Sequence, residues 1–216
     1  MKTILSRLKP TLRHVGILLV LCASARATII QPNTATASTT YQGENIASHT
    51  IDGSGLQGPV ATLPTHSVSS TLTHWLSSNQ GLVTDQYITW GFSSPQTLDT
   101  IYLWNAQAPH YEVGEFALTF YNAAAAIIGT YSGTLAFGSN AAQPFGFSPL
   151  AGVSSVRLDV NGYNTAFAGS GNYVGLAEVA FRTGTVTGVP DGGTTATLLG
   201  LGLFGLAFCS RRRSLA

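Results

Sequence analysis

The middle of this sequence predicts an all-β sandwich, and three observations carry that reading. Short aromatic and β-branched runs alternate apolar and polar residues with a period of two. Clusters of Gly, Ser, Asn and Pro stand between those runs. No stretch holds a helical period; Ala123-Ala124-Ala125-Ala126 is too short and leads into Ile127-Ile128-Gly129. Residues 34–40, rich in Thr, Ser and Ala, fit either a strand or a leader into the fold. Residues 86–92 put Ile88, Trp90 and Phe92 on one face. Residues 98–104 and 115–121 are further aromatic and β-branched runs, and residues 153–160 set Val156, Leu158 and Val160 against Arg157 and Asp159. Residues 173–181 form the last run. Turn signals fall at Ser93-Ser94-Pro95, residues 105–109, Gly138-Ser139-Asn140 and residues 168–172. Seven or eight strands separated in this way indicate a sandwich. There is no internal repeat.

Targeting segments flank this region. Lys2, Arg7, Lys9 and Arg13 form a basic head, residues 15–23 an apolar run, and Ala25-Arg26-Ala27 a small-x-small cleavage site. This is the layout of a secretory signal peptide over residues 1–27, with signal peptidase leaving Thr28 as the first residue. Cys22 is not a lipidation site, because Leu21 stands where lipoprotein peptidases need a small residue. A linker at 184–188 precedes the other end, Val189-Pro190-Asp191-Gly192-Gly193. Pro190 and the glycine pair prevent regular structure there. Residues 194–210 are uncharged, and Arg211, Arg212 and Arg213 follow. As a helix the apolar run spans about 25 Å, short for a hydrocarbon core of about 30 Å. The arginines hold their end in the cytoplasm. The order breaker, marginal span, basic cluster suits a temporary tether in the inner membrane.

That tail, residues 189–216, resembles the C-terminal sorting signals of the PEP-CTERM class, in the variant beginning Val-Pro-Asp. The resemblance implies export in a Gram-negative bacterium that makes extracellular polysaccharide. It also implies a partner: an exosortase-like membrane transpeptidase that recognises the motif and cuts or transfers the protein, to the cell surface or extracellular matrix. The usual residues after Val-Pro are Asp-Ser, where this chain has Asp191-Gly192. An ordinary C-terminal anchor helix is the alternative.

Setting the two ends aside changes the charge balance. Residues 28–188 hold two basic residues, Arg157 and Arg182, against eight acids, a formal net charge of −6, with no lysine and no cysteine. Such a surface argues against nucleic acid and anionic lipid, which both need cationic patches. Without a disulfide the domain must be held by its core, with or without a metal, and its length suffices for a core of its own.

The order of motifs carries a second resemblance. Asn45-Ile46-Ala47 leading to Asp52-Gly53, then Trp75-Leu76-Ser77, residues 86–92, residues 98–105, residues 156–160 and the closing Glu178-Val179-Ala180-Phe181 follow each other as in discoidin domains. This is the jelly-roll family that includes coagulation factor C-type and many galactose-binding modules. The likeness covers about residues 30–183 and implies a discoidin-like β-sandwich over residues 28–183. In its metal-bearing members, acidic positions matching Asp52 and Glu178 hold a structural calcium ion together with loop carbonyls, a donor set of the hard oxygens calcium takes. The plainer reading is that Asp52 caps its Asp-Gly turn and Glu178 binds loop amides.

Other patterns are weaker. Gly53-Ser54-Gly55-Leu56-Gln57-Gly58 spells G-x-G-x-x-G, but Pro59 follows and no βαβ unit surrounds it, so it is a turn-rich loop. The histidines His49, His66, His74 and His110 lack metal-ligand spacing, and no G-x-S-x-G elbow marks a nucleophile. The domain reads as non-enzymatic, with a hydrolase as the remote alternative. Sugars bind through aromatic faces with polar neighbours, which singles out His110 and Tyr111 after the Trp104 run, and Tyr163 and Asn164 before the last run. Sugar-binding discoidin modules commonly carry an arginine in the loop after the Trp104-like strand; residues 105–114 contain none. Trp75, Trp90 and Trp104 read as core. The function expected is a surface or matrix binding module for polysaccharide; the alternative is a structural surface protein that binds no small ligand.

Overall fold

The computed structural model describes residues 27–67, 72–78, 83–106, 111–162 and 173–184. The signal peptide up to Arg26, the linker and the C-terminal sorting segment lie outside them, as do His110, Tyr163 and Asn164.

The described chain is an antiparallel β-sandwich. Its strands are β1 (Ile29–Ile30), β2 (Thr34–Ala37), β3 (Trp75–Leu76), β4 (Tyr87–Asn105), β5 (Glu115–Tyr121), β6 (Ile127–Thr134), β7 (Gln143–Val160) and β8 (Gly175–Thr183). One hydrogen-bonded path, β1-β8-β4-β7-β5-β6, runs through the domain, with β2 on β4 and β3 on β8. The two long strands serve both layers. The first part of β4 pairs with β2 and with the end of β7, Trp90 opposite Val156, while its second part pairs with β8 and the start of β7, Ile101 opposite Phe181 and Phe145. The end of β7 also pairs with β5.

One turn signal and one strand boundary differ from the sequence reading. Ser93-Ser94-Pro95 does not end a strand; β4 continues through it, and the register with β7 breaks between Gly91 and Gln96. The irregularity bends one strand from layer to layer, which needs the same residue types as a turn. Likewise β7 begins at Gln143, well before residue 153, and bends where Gly152 takes a φ of 77°. The open choice for residues 34–40 resolves as a four-residue strand.

The core lies between the layers. Ile88, Trp90, Leu98, Ile101, Leu103, Phe116, Leu118, Phe120, Val156, Leu158, Val179 and Phe181 form it, and Phe181 meets Trp90 and Phe92 edge-on at 6.2 and 5.3 Å. All three tryptophans are fully buried, as the sequence expects. Each indole N–H donates to a loop: Trp75 to Thr39 O, Trp90 to Thr50 Oγ1 and Trp104 to Pro64 O, at 2.8–2.9 Å. The tryptophans therefore tie loops to the sandwich as well as filling it. Trp104 belongs to a second cluster on the outer face of β4 and β8, where Leu56, Val60 and Leu63 of the 51–67 segment cover Ala177 and Ala180. This cover explains why β8 is buried on both faces from Gly175 to Phe181. The domain's two arginines are paired: Arg157 with Asp159 at 2.8 Å from Nε, its guanidinium 3.7 Å from the centre of the Tyr87 ring, and Arg182 with Asp99 at 2.7 Å.

Candidate functional site

Asp52 and Glu178, far apart in sequence, meet at one loop. Glu178 lies in the doubly covered strand β8 opposite Trp104, and none of its surface reaches solvent. Its Oε1 accepts from the Gln31 side chain at 2.5 Å and from Gly53 N–H at 3.2 Å, whereas its Oε2 is buried with no partner. Gly53 reaches it because the backbone there takes a φ of 75°, open to glycine. Asp52 is held from two sides: Oδ1 accepts from Ser54 N–H at 2.7 Å, and Oδ2 pairs with His49 Nδ1 at 2.8 Å.

The two carboxyls are pushed in opposite directions. Burial pushes Asp52 up, but the Ser54 and His49 contacts outweigh it and hold this carboxyl below its ordinary range. Burial dominates at Glu178; with the nearby Asp52 charge it outweighs the Gly53 and Gln31 hydrogen bonds, and the carboxyl is pushed up to about 9. A fixed anion beside a buried carboxyl with an orphaned oxygen is an arrangement that a cation would relieve. Among the described residues no three His, Cys, Asp or Glu side chains cluster around a metal position. Loop carbonyls and water would have to complete the shell, which a calcium ion accepts. These residues fit calcium. The turn contacts of the plainer reading, Asp52 to Ser54 N–H and Glu178 to Gly53 N–H, are also both present.

The supporting loop is braced by His66, buried at 1% exposure, whose ring nitrogens contact Ser67 O at 2.6 Å and Ser54 O at 2.9 Å. Gly55, at a φ of 84°, lies so close to this ring that a Cβ would stand 2.4 Å from it. His49 and His74 are spent on local contacts as well, the latter with Asn45 at 3.2 Å.

A second feature is aromatic. Tyr41, Tyr111 and Tyr173 come from three separate loops and gather half-buried at the end where β3 finishes and β8 starts. Tyr173 stands between the others, edge-on to Tyr41 at 5.0 Å and to Tyr111 at 5.7 Å. Backbone contacts fix each loop: Tyr41 N–H to Leu76 O at 2.8 Å, Gly175 N–H to Tyr111 O at 2.6 Å, and Ser77 N–H to Val174 O at 2.8 Å. The buried Asn105 closes the loop that carries Tyr111, accepting from Val113 N–H at 3.0 Å and donating to Val113 O at 2.8 Å. Next to it, buried Glu112 takes the Gly138 N–H on both carboxylate oxygens, at 3.2 and 3.0 Å. Burial pushes its carboxyl up despite that bond.

Of the residues singled out for glycan, only Tyr111 lies among those described. Tyr41 and Tyr173 carry no site signal in the sequence: Tyr173 reads as the start of the last strand, and Tyr41 lies in no predicted element, beside Gln42 and Gly43, both at positive φ. Glu112 and Gln31 give no sequence signal either, because the first matters through burial and the second through its contact with the distant Glu178.

Comparison with known proteins bears on both ends of the question. Residues 188–213 match the VPDSG-CTERM motif, the mark of an exported, membrane-anchored, sorted protein. No curated protein matches the sequence. The fold is similar to that of the family 32 carbohydrate-binding module of C. perfringens NanJ, solved with galactose: TM-score 0.53 at 14% identity, over 73% of this chain and 99% of that one. It is similar to the family 32 module of AlyQ, solved with 4,5-unsaturated mannuronic acid: TM-score 0.51 at 20% identity, over 71% and 96%. The lectin domain of Lectinolysin, complexed with Lewis B antigen, gives 0.51 at 14% identity, over 70% and 93%. The fold is therefore the discoidin-like β-sandwich of carbohydrate-binding modules and lectins. In AlyQ such a module accompanies an alginate lyase domain.

Proposed function

We propose that this chain is a non-enzymatic, polysaccharide-binding module, sorted to the cell surface or matrix of a Gram-negative bacterium by an exosortase-like transpeptidase. The observation that carries this reading is the pairing of a VPDSG-CTERM motif with a sandwich shared by modules solved with sugars. The tyrosine cluster supplies aromatic surface at one loop end, where rings can meet the C–H face of a sugar and hydroxyls its polar edge. Asp52, Glu178 and loop carbonyls would hold a calcium ion, whose role would be structural: to pin the 51–55 loop to β8 and with it the cover over the second layer.

Binding of the producing organism's own polysaccharide to residues 28–188, followed by pull-down or calorimetry, tests the reading. Tyr111→Ala is expected to weaken binding by about 1–2 kcal/mol, as at other stacked aromatic sites. Tyr111→Phe should retain most of the affinity, and the melting temperature should move little in either variant. A domain that binds none of these polysaccharides is instead a structural surface protein.

Processing is checked separately. N-terminal sequencing of exported material should begin at Thr28. Replacing Pro190 and Asp191 by Ala should leave the chain in the inner membrane, whereas deleting residues 194–216 should release it soluble into the periplasm. Unchanged delivery after both changes would remove the sorting role.

A further inference from the structure

We propose that strand β6 is a self-association edge, pairing antiparallel with β6 of a second copy to continue one sheet layer across two molecules. A strand that ends a sheet exposes unpaired main-chain donors and acceptors, and proteins blunt such edges with short strands, charges, prolines or bulges. The other edges among the described residues are blunted. β1 and β3 have two residues each and β2 has four. The first part of β7, paired only with β4 among the described residues, carries Pro144 and Pro149 and an irregular register. β6 has eight residues and pairs only with β5 among the described residues. Its sequence, Ile-Ile-Gly-Thr-Tyr-Ser-Gly-Thr, holds no proline and no charge. Its one irregularity lies near the Ile127 end, and Ile127 is 63% exposed.

Charge selects the occupant. Residues 28–188 carry a formal net charge of −6, so two copies repel over most approaches, but no residue from 116 to 156 is charged. That stretch contains all of β6 and the neighbouring start of β7. Glu115, opposite Thr134, is the nearest acid along β5 and lies one strand in from the edge. A second copy can thus approach β6 without meeting its own charge. The strand also suits itself in register. Gly129, Tyr131 and Gly133 face inward: a Cβ on Gly129 would stand 2.5 Å from Leu150, and one on Gly133 2.7 Å from Phe116. Thr130, Ser132 and Thr134 are exposed on the other face. A two-fold register centred on Tyr131 sets Gly129 opposite Gly133 and Thr130 opposite Ser132, keeping inward residues inward on both copies. The association does not depend on glycan binding, since the tyrosine cluster lies on other segments.

The test uses the full chain, exported by its own cell, with Cys22 and Cys209 changed to Ser. Ser132→Cys is introduced and treated with a short bis-maleimide; Thr36→Cys, exposed on the β2 edge, is the comparison. A covalent dimer is expected with Ser132→Cys and only background with Thr36→Cys. Adding Thr130→Lys to the Ser132→Cys chain should lower the dimer yield by about tenfold, because lysines then face the partner strand. The same substitution reduces the net negative charge, so non-specific association would rise rather than fall. Dimer at neither position, equal dimer at both, or a yield unmoved by Thr130→Lys would each overturn the proposal.

Discussion

Removing divalent cations is expected to lower the melting temperature of the domain, and the loss should grow as the pH rises. The cause is Glu178. Its carboxyl, pushed up to about 9 when folded against an ordinary 4.5, keeps its proton in the native state over a window where the unfolded chain has lost it. The native state then binds more protons than the unfolded state, so stability falls with rising pH between about 4.5 and 9. At its limit the effect is on the order of 5 kcal/mol, comparable to the whole stability of a small domain. A bound calcium ion reverses the sign of the local field and favours the carboxylate, so the slope should flatten when calcium is added. At free calcium about 100 times the dissociation constant, linkage adds about 2.7 kcal/mol. Glu178→Gln should remove both the slope and the chelator effect. Melting curves at pH 6 and 8, with calcium and with EDTA, check this. A slope without a chelator effect would mean a protonated buried Glu178 and no metal; neither effect would sink the proposal.

Trp90→Ala is expected to unfold the domain or cost about 3–5 kcal/mol, the range for truncating a buried tryptophan. Trp90 is fully buried between the layers, pairs with Val156 and meets Phe181. It also donates to Thr50 Oγ1, which in turn donates to Ala47 O at 2.7 Å. Truncation therefore opens a cavity and frees the turn that leads into Asp52. Trp90→Phe keeps most of the ring but loses the donor, and should cost about 1–3 kcal/mol. Urea unfolding of both variants separates the terms; equal losses would show that the hydrogen bond, and not the volume, dominates.

The strands that alternate large apolar with polar residues are legible in the sequence: residues 98–104, 115–121 and 153–160 lie in strands, and so do 86–92 apart from Gln86, which precedes β4. β6 is not. Its inward positions are Gly129 and Gly133 flanking Tyr131, because Leu150 and Phe116 fill the space a side chain would take, so the alternation carries no hydrophobic signal. The start of β7 was hidden by Pro144 and Pro149, which an edge position tolerates. At the loops, motif order pointed to Asp52 and Glu178, but the orphaned Oε2 depends on the cover laid over β8 by the 51–67 segment. The tyrosine cluster depends on three loops converging, and local pattern cannot show that.

The pairing of the two arginines has a consequence outside the cell. Between residues 28 and 188, Arg157 and Arg182 are the only points where a protease of trypsin-like specificity can cut, since lysine is absent. Arg157 lies well inside β7 and Arg182 next to the end of β8, where it pairs with both β1 and β4, and both are held by a carboxylate. Cleavage needs the backbone to leave its strand and enter the enzyme, so it waits on opening of the sandwich itself. Digestion by such enzymes is thereby limited by opening of the strands that hold these two sites, and whatever strengthens the fold also lengthens the protein's survival among secreted proteases.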